Sequence, residues 1–224
     1  MPSVAVLIPA GGIGARLGRR TPKQFLALGD TPILAATLRH FTRHPAVRAI
    51  VVAAPAAHLA RTRRLVGRAG RRPVDVVTGG PSRQESVWLA LQAAPADAEI
   101  LLVHDAVRPF IGRPLIDAVV AEAARHGAAI CALPIAETVK RVREGVVETT
   151  LERAGLWGVQ TPQGFRAALL REAHEKARRD GVVGTDDAML VERLGHPVRV
   201  VRGLPGNVKI TTPDDLRRAR GRRR

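Results

Sequence analysis

The stretch "PAGGIGARLGRRTPKQF", Pro9 to Phe25, follows the apolar run Val4–Ile8. Small residues at Ala10, Gly11, Gly12 and Gly14 leave backbone amides uncovered, so they can approach oxyanions closely. Arg16 and Lys23 add cations to the same loop. A strand running into such a loop points to phosphate chemistry. The two standard phosphate loops fail letter by letter. A Walker loop needs Gly-Lys-Ser/Thr at its end, and no glycine in this stretch precedes a lysine. A dinucleotide fingerprint needs G-x-G-x-x-G. Gly12 and Gly14 satisfy its first two slots, but the third holds Leu17.

Two further strand ends carry chemistry of the same kind. One runs into "TGGPSRQES" (78–86), a second glycine turn that opens a helix; the other runs into "HDAVRPF" (104–110). In open α/β sheets, ligands bind beyond the carboxyl ends of the strands, so these loops share one rim. Asp105 places a carboxylate there. One carboxylate plus substrate phosphates is a common way to hold Mg²⁺, and Arg108 is spaced to meet an anionic co-substrate. His104, directly after an apolar strand, reads as a hydrogen-bonded packing residue. His40 and His44 have no acidic partner close in sequence and read as surface. There is no Cys/His cluster of zinc spacing and no G-x-S-x-G.

Charge and composition bound the partners. The formal net charge is +16, but "RTRRLVGRAGRR" (61–72) and "RRARGRRR" (217–224) each hold six arginines and no acid. The second of these reads as a frayed terminal tail. Aromatics make up only 3% with no tyrosine, which supplies a base-stacking platform poorly and argues against nucleic acid as a partner. Against 32 arginines there are four lysines: Lys23, Lys140, Lys176 and Lys209. In such a composition a lysine marks a place where a compact ammonium is wanted. Lys176 lies in a helix-like segment and reads as surface. No apolar run approaches the ~20 residues of a membrane span. No basic region precedes the first apolar stretch, so a signal peptide is not expected and a cytoplasmic protein is. Cys131, the single cysteine, sits in "AAICALP" and reads as a buried structural thiol.

The elements that must position these residues alternate. Strands are expected at Val4–Ile8, Ala49–Ala53, Val74–Val77, Ile100–Val103 and Ala128–Leu133. Between them, Ile33, Leu34, Leu38 and Phe41 have helical spacing, Ser82 is a plausible N-cap, and Leu115–Arg125 reads as a helix. This rhythm predicts a single α/β domain over 1–224 with a parallel sheet and helices on both faces. It changes after Pro134. "ETVKRVREGVVETTL" (137–151), with a turn at Glu144-Gly145, reads as a hairpin too polar for the core. Such a hairpin needs a neighbour, in this chain or a second copy. Helices near 165–179 and 186–194, strands at 198–201 and 207–210, and a last helix from Pro213 complete the reading.

The ordered set "AGGIGARLG…PKQF", "GG…R…SV", "HDAVRPF", "ETVKR", "ERAGLW", "QTPQGF", "TDDA" and "NVKITTPDDL" resembles the 2-C-methyl-D-erythritol 4-phosphate cytidylyltransferases over nearly the whole chain. The resemblance implies a Rossmann-like nucleotidyltransferase fold with a mostly parallel twisted sheet, a protruding β-arm at about 135–153, and Mg²⁺ as cofactor. It also implies CTP and a small sugar-alcohol phosphate as substrates, and a homodimer in which each arm reaches the partner's site. On the matching positions, Arg16, Lys23 and Lys209 serve the reacting phosphates and Asp105 the metal. Ala10, Gly11, Gly12, Gly80 and Ser86 meet the nucleotide. Ala106, Arg108, Thr161 and Thr185 line the erythritol phosphate pocket, with Thr138 and Arg153 entering from the partner. The ribitol-5-phosphate cytidylyltransferases share the glycine loop and the "NxKIT" ending, but "ETVKR" and "ERAGLW" favour the erythritol family. Three departures stand out: the common Ala-Ala-Gly start of the loop is Ala10-Gly11-Gly12 here, as also occurs in the ribitol group; Glu137 replaces the usual Asp; and Pro81 stands where an acid can follow the Gly-Gly pair. A basic nucleotide- or nucleic-acid-binding module is the non-enzyme alternative.

Overall fold

The computed structural model describes residues 2–11, 21–67 and 72–221. In chain order they form β1 (Val4–Pro9), a 3-10 turn at Lys23–Phe25, the small hairpin β2 (Ala27–Leu28) and β3 (Thr31–Pro32), α1 (Ile33–Thr42), β4 (Val47–Ala54), α2 (Leu59–Val66), β5 (Asp75–Thr78), α3 (Arg83–Gln92), β6 (Ile100–Val103), α4 (Arg113–His126) and β7 (Ala128–Pro134). After these come β8 (Val139–Arg143), β9 (Val146–Leu151), β10 (Trp157–Arg166), α5 (Ala167–Arg179), α6 (Asp187–Glu192), β11 (Arg199–Arg202) and α7 (Pro213–Gly221).

Seven strands make one sheet in the order β11-β7-β10-β6-β1-β4-β5. β1 lies between β4 and β6 and is parallel to both. Its residues alternate between two cores: Val4, Val6 and Ile8 face α1 and α4, while Ala5 and Leu7 face α3, α5 and α6. A continuous apolar strand is therefore what this central position demands. From β1 the chain goes out to β4 and β5 on one side and then returns to β6 on the other. That reversal of strand order opens a crevice at the carboxyl end of β1.

The expected parallel sheet is interrupted by β10, which runs antiparallel between β6 and β7. "QTPQGF" hides a strand because its polar residues are used internally. Gln163 Nε2 donates to Asp186 Oδ2 at 2.7 Å, and Gln160 Oε1 accepts from the Leu204 amide at 3.2 Å. Pro162 falls where the β10–β7 register slips between Gln160 and Gln163, which is where a strand tolerates proline.

The expected strand at 207–210 does not form. Side-chain tethers stand in for a ladder: Arg108 Nη1 donates to the Asn207 carbonyl at 2.7 Å, and Asn207 Nδ2 donates to the Thr161 carbonyl at 2.7 Å. The chain then enters α7 through a capping box. The Thr212 hydroxyl accepts from the Asp215 amide, and the Asp215 carboxylate accepts from the Thr211 and Thr212 amides. Those amides hold the Asp215 carboxyl near 2 despite partial burial, which alone would raise it. Helix α7 continues through Gly221, so the basic segment from Arg217 is not a frayed tail at its start. Leu216 and Ala219 are buried against Leu26, Leu28 and Ile33.

The arm forms as expected. Among the described residues β8 and β9 pair only with each other, around Glu144 (φ 49°) and Gly145 (φ 82°). Positive φ at both central positions is the twist-matched hairpin turn, and glycine bears it without strain. Val142, Val146 and Val147 are exposed along it. His44 is not a surface residue. It is buried, with Nε2 2.9 Å from Asp117 Oδ1 on α4, and His40 Nε2 lies 3.0 Å from the Pro109 carbonyl. Their partners come from a helix and a loop some seventy positions away, which sequence proximity could not reveal. Cys131 is buried, and burial pushes its thiol up to about 12.

Candidate active site

A cavity of about 290 Å³ opens at the carboxyl end of β1, lined by Ala10, Gly11, Lys23, Gly80, Arg83, Asp105 and Lys209 among others. Three loops build it. The first is held by Gln24, which is buried and donates through Nε2 to the Ala10 carbonyl at 2.8 Å. The Ala10 amide in turn donates to the Ala53 carbonyl at 2.7 Å. The second is the Gly79-Gly80 turn. Ser82 caps α3 by accepting from the Glu85 amide at 3.0 Å, and Ser86 donates to the Ser82 and Gly80 carbonyls at 2.9 and 3.3 Å. A side chain at Gly79 would meet Ser86 Oγ at 2.9 Å, so the turn closes on the helix only with glycine. The third is the turn after β6. The Asp105 amide donates to Thr161 Oγ1 at 3.1 Å, and Thr37 Oγ1 donates to the Ala106 carbonyl at 3.1 Å.

Asp105 is the electrostatic centre. Its Oδ2 lies 3.0 Å from Lys209 Nζ and 3.3 Å from Arg108 Nε, and its Oδ1 lies 3.6 Å from Arg83 Nε. Burial alone would raise the Asp105 carboxyl. Lys209, Arg83 and Arg108 outweigh it and hold the group well below the ordinary carboxylate range. Arg83 continues the network inward, with Nη1 2.8 Å from Asp187 Oδ2, and Asp187 Oδ1 lies 3.0 Å from His174 Nε2. Burial opposes the charge on Arg83, but Asp187 and Asp105 raise its pKa further. Beneath the turn His104 is fully buried, with Nε2 3.1 Å from the Arg108 carbonyl and Nδ1 3.0 Å from Thr161 Oγ1. Burial lowers it to about 4, so it packs as a neutral ring.

The structure brings together Ala10, Gly11, Lys23, Gly80, Ser86, Asp105, Ala106 and Lys209, which all line the cavity. Gly12 and Arg16 lie outside the described residues. Arg108 and Thr161 are buried and face the Asp105 turn from within. Thr185 is exposed before α6, where its hydroxyl meets Met189 Sδ at 3.8 Å. Thr138 and Arg153 are exposed at the base of the arm, where Arg153 donates to the Ala136 carbonyl. None of these three lines the cavity of its own chain. Arg83 and Asp187 fall within the quoted motifs "GG…R…SV" and "TDDA", but the sequence alone assigns them no role. Arg83 opens α3, where the helix dipole disfavours a cation. An arginine in that place signals a nearby acid, and Asp187 supplies it.

A recess with three cations, glycine-turn amides and one carboxylate is suited to a polyphosphate. No group of three His, Cys, Asp or Glu side chains able to share a metal occurs among the described residues. A lone carboxylate fits Mg²⁺ only in the mode where phosphates and waters complete its shell.

The family model for 2-C-methyl-D-erythritol 4-phosphate cytidylyltransferase matches residues 4–221. A protein of that name from Symbiobacterium thermophilum is 48% identical over 217 residues, covering 96% of this chain and 91% of its own. One from Bacillus pumilus is 46% identical over 213 residues, covering 94% and 93%. Among solved structures, 2-C-methyl-D-erythritol 4-phosphate cytidylyltransferase from Thermus thermophilus superposes with a TM-score of 0.79 at 38% identity, covering 98% of this chain and 97% of that one. The 4-diphosphocytidyl-2C-methyl-D-erythritol synthase from Anaerococcus prevotii gives 0.86 at 26%, covering 99% and 98%. With a family model spanning the sheet and every loop of the cavity, this chain belongs to the 2-C-methyl-D-erythritol 4-phosphate cytidylyltransferase family.

Proposed function

We infer that the chain transfers a cytidylyl group from CTP to 2-C-methyl-D-erythritol 4-phosphate, giving 4-diphosphocytidyl-2-C-methyl-D-erythritol and diphosphate. The observation that carries this reading is a cavity at two glycine turns where Lys209 and Arg83 converge on the Asp105 carboxylate and Lys23 lines the same wall, within a chain of this family. An oxygen of the acceptor's phosphate attacks the α-phosphorus of CTP. A new P–O–P link forms, the bond from the α-phosphorus to the β-bridging oxygen breaks, and diphosphate leaves. A phosphate monoester has a second pKa near ~6 and is already mostly dianionic at neutral pH. No general base is needed, and the one buried histidine beside the turn, His104, is left to packing.

The obstacle is repulsion between two polyanions, so positioning and electrostatics carry the catalysis. Lys23 and Lys209 approach the triphosphate from the first loop and from the segment before α7. Arg83 is aimed by Asp187. Backbone groups of Ala10, Gly11 and Gly80, pinned by Gln24 and Ser86, take the nucleotide. Asp105 would hold Mg²⁺, which supplies positive charge to the phosphates when bound. Arg108 fixes that carboxylate from below, and Thr161 holds the turn by accepting from the Asp105 amide. Thr138 and Arg153 serve a partner's site across a homodimer, which gives the exposed hairpin β8–β9 its neighbour. The chain acts as one cytidylyltransferase domain. No helix among the described residues is long and apolar enough to cross a membrane, in keeping with a cytoplasmic enzyme.

Diphosphate release from CTP, measured with methylerythritol phosphate and with ribitol 5-phosphate, tests this function. Turnover with the first should exceed the second by about 100-fold or more, the scale a site built for specific polar groups achieves. Equal rates refute the substrate assignment.

A further inference from the structure

The Lys23–Phe25 turn contributes to two cavities. Lys23 and Gln24 line the one at β1, whereas Phe25 lines a second of about 510 Å³ between the β2–β3 hairpin and helices α1 and α2. Three arginines line it: Arg39 from α1, half-buried, and Arg61 and Arg64, exposed and one turn apart on α2. Asp30 is the only acid in the lining among the described residues. Among the described residues no carboxylate lies within ion-pair distance of any of the three. Arg39 makes a long 3.4 Å bond to Thr31 Oγ1, and the Arg61 guanidinium rests 4.3 Å from the centre of the Phe25 ring. Guanidiniums gathered without an anion repel one another, and their fork geometry matches phosphate. The floor of Phe25, Ala35 and Leu65 is apolar. Charged forks over an apolar floor, at a volume within the range of small-molecule sites, define a ligand with a phosphate head and an apolar body.

We propose that this cavity binds a small organic phosphate bearing an apolar or aromatic group, and that its occupancy is felt in the first cavity through the Lys23–Phe25 turn. The turn is short and closed. The Phe25 amide donates to the Pro22 carbonyl at 3.0 Å and the Leu26 amide to the Lys23 carbonyl at 3.1 Å. Gln24 fixes the same turn to Ala10. A body stacking on Phe25, or a phosphate drawing Arg61 off the ring, therefore acts on the residues that position Lys23 and the first loop. Coupling of this kind is reciprocal: each ligand changes the affinity of the other by the same factor.

The coupling half of this inference rests on CTP binding in the first cavity; the binding half does not. Phenyl phosphate is the probe, titrated calorimetrically into the full chain with and without saturating CTP and Mg²⁺, in the absence of acceptor. Phenyl phosphate should bind in both conditions, with its Kd changed about threefold or more by CTP and the Kd of CTP changed equally by phenyl phosphate. The double variant Arg61→Ala/Arg64→Ala and the charge reversal Arg64→Glu should each weaken phenyl phosphate by about tenfold or more, the loss expected for a charge-assisted contact. Both should melt as the parent does, and Arg64→Glu, which leaves Arg61 on the Phe25 ring, should keep the parental rate of cytidylyl transfer when phenyl phosphate is absent. The inference is overturned if CTP displaces phenyl phosphate outright, if inorganic phosphate binds equally well, if the affinities do not change, or if both variants bind as the parent. Failure of CTP itself to bind would instead count against the proposed function, and the phenyl phosphate titrations would still decide the site.

Discussion

Arg83 and Asp187 are 104 positions apart and meet at 2.8 Å, which makes their pairing the sharpest test of how this site is held. The Asp187 side chain is 1% exposed and that of Arg83 is 30%. Burial alone would raise the Asp187 carboxyl, but Arg83 and His174 keep it below its ordinary value. Arg83→Ala leaves that carboxylate buried with only His174 to meet it. Breaking a fully buried pair costs about 3–5 kcal/mol. Water reaches part of Arg83, so about 2–3 kcal/mol is the appropriate scale. At roughly 2–4 °C per kcal/mol for a chain of this size, Tm should fall by about 5–10 °C. Asp187→Asn keeps the shape and removes the charge, and should cost about 2 kcal/mol. The double variant should lose less than the sum of the two by about 1.5 kcal/mol or more, because either single change already breaks the pair. Urea unfolding of the four proteins measures this coupling. The Asp187 carboxyl is depressed in the folded chain, so its contribution is present above the unfolded value near ~4 and fades only as pH falls through the lower folded one. The activity readout is separate: Arg83→Ala should lower kcat/KM by about 10²-fold, as for loss of one electrostatic group in the site. Strict additivity, within about 0.5 kcal/mol, would refute the pairing as the source of either effect.

Three further outcomes are expected. His104 is neutral in the folded chain at about 4 against 6.5 unfolded, so its stabilisation is complete above pH 6.5 and declines toward pH 4, by about 3 kcal/mol in all; His104→Gln should flatten that part of the stability profile, and an unchanged slope would contradict it. Truncation after Gly221 should leave stability and turnover intact, whereas truncation after Arg217 removes buried Ala219 and should cost about 1–2 kcal/mol, read by thermal unfolding; equal stability of the two truncations would place the basic end outside the fold. If Arg153 serves a partner's site and Lys23 its own, Lys23→Ala and Arg153→Ala should each be inactive, yet co-refolding them should restore roughly a quarter of parental activity, since about half the dimers are mixed with one good site of two; mixed dimers without activity would remove Arg153 from that site.

Much of this protein was legible in the chain because it depends on short-range physics. A short unbroken apolar run of Val, Leu and Ile that ends in a glycine-rich stretch suits a central strand buried on both faces, so β1 was readable. Ser82 before a run with helical spacing declares a helix start, and Glu144-Gly145 between two polar β-prone runs declares a hairpin. The residue types at the rim, Lys23, Asp105 and Lys209, were marked by the scarcity of lysine and by strand-end placement. Strand β10 was not legible, because Gln160, Thr161 and Gln163 look like loop residues until their partners at Leu204, Asp105 and Asp186 are known. Residues 207–210 look like a strand until Arg108 and Asn207 are seen to replace a ladder with side-chain bonds. His44 with Asp117, and Arg83 with Asp187, pair across 73 and 104 positions. Local pattern reports which side chains want burial or a cap. Which buried charge finds which counter-charge depends on where distant segments are brought by the packing of two cores about one sheet, and only the tertiary structure decides that.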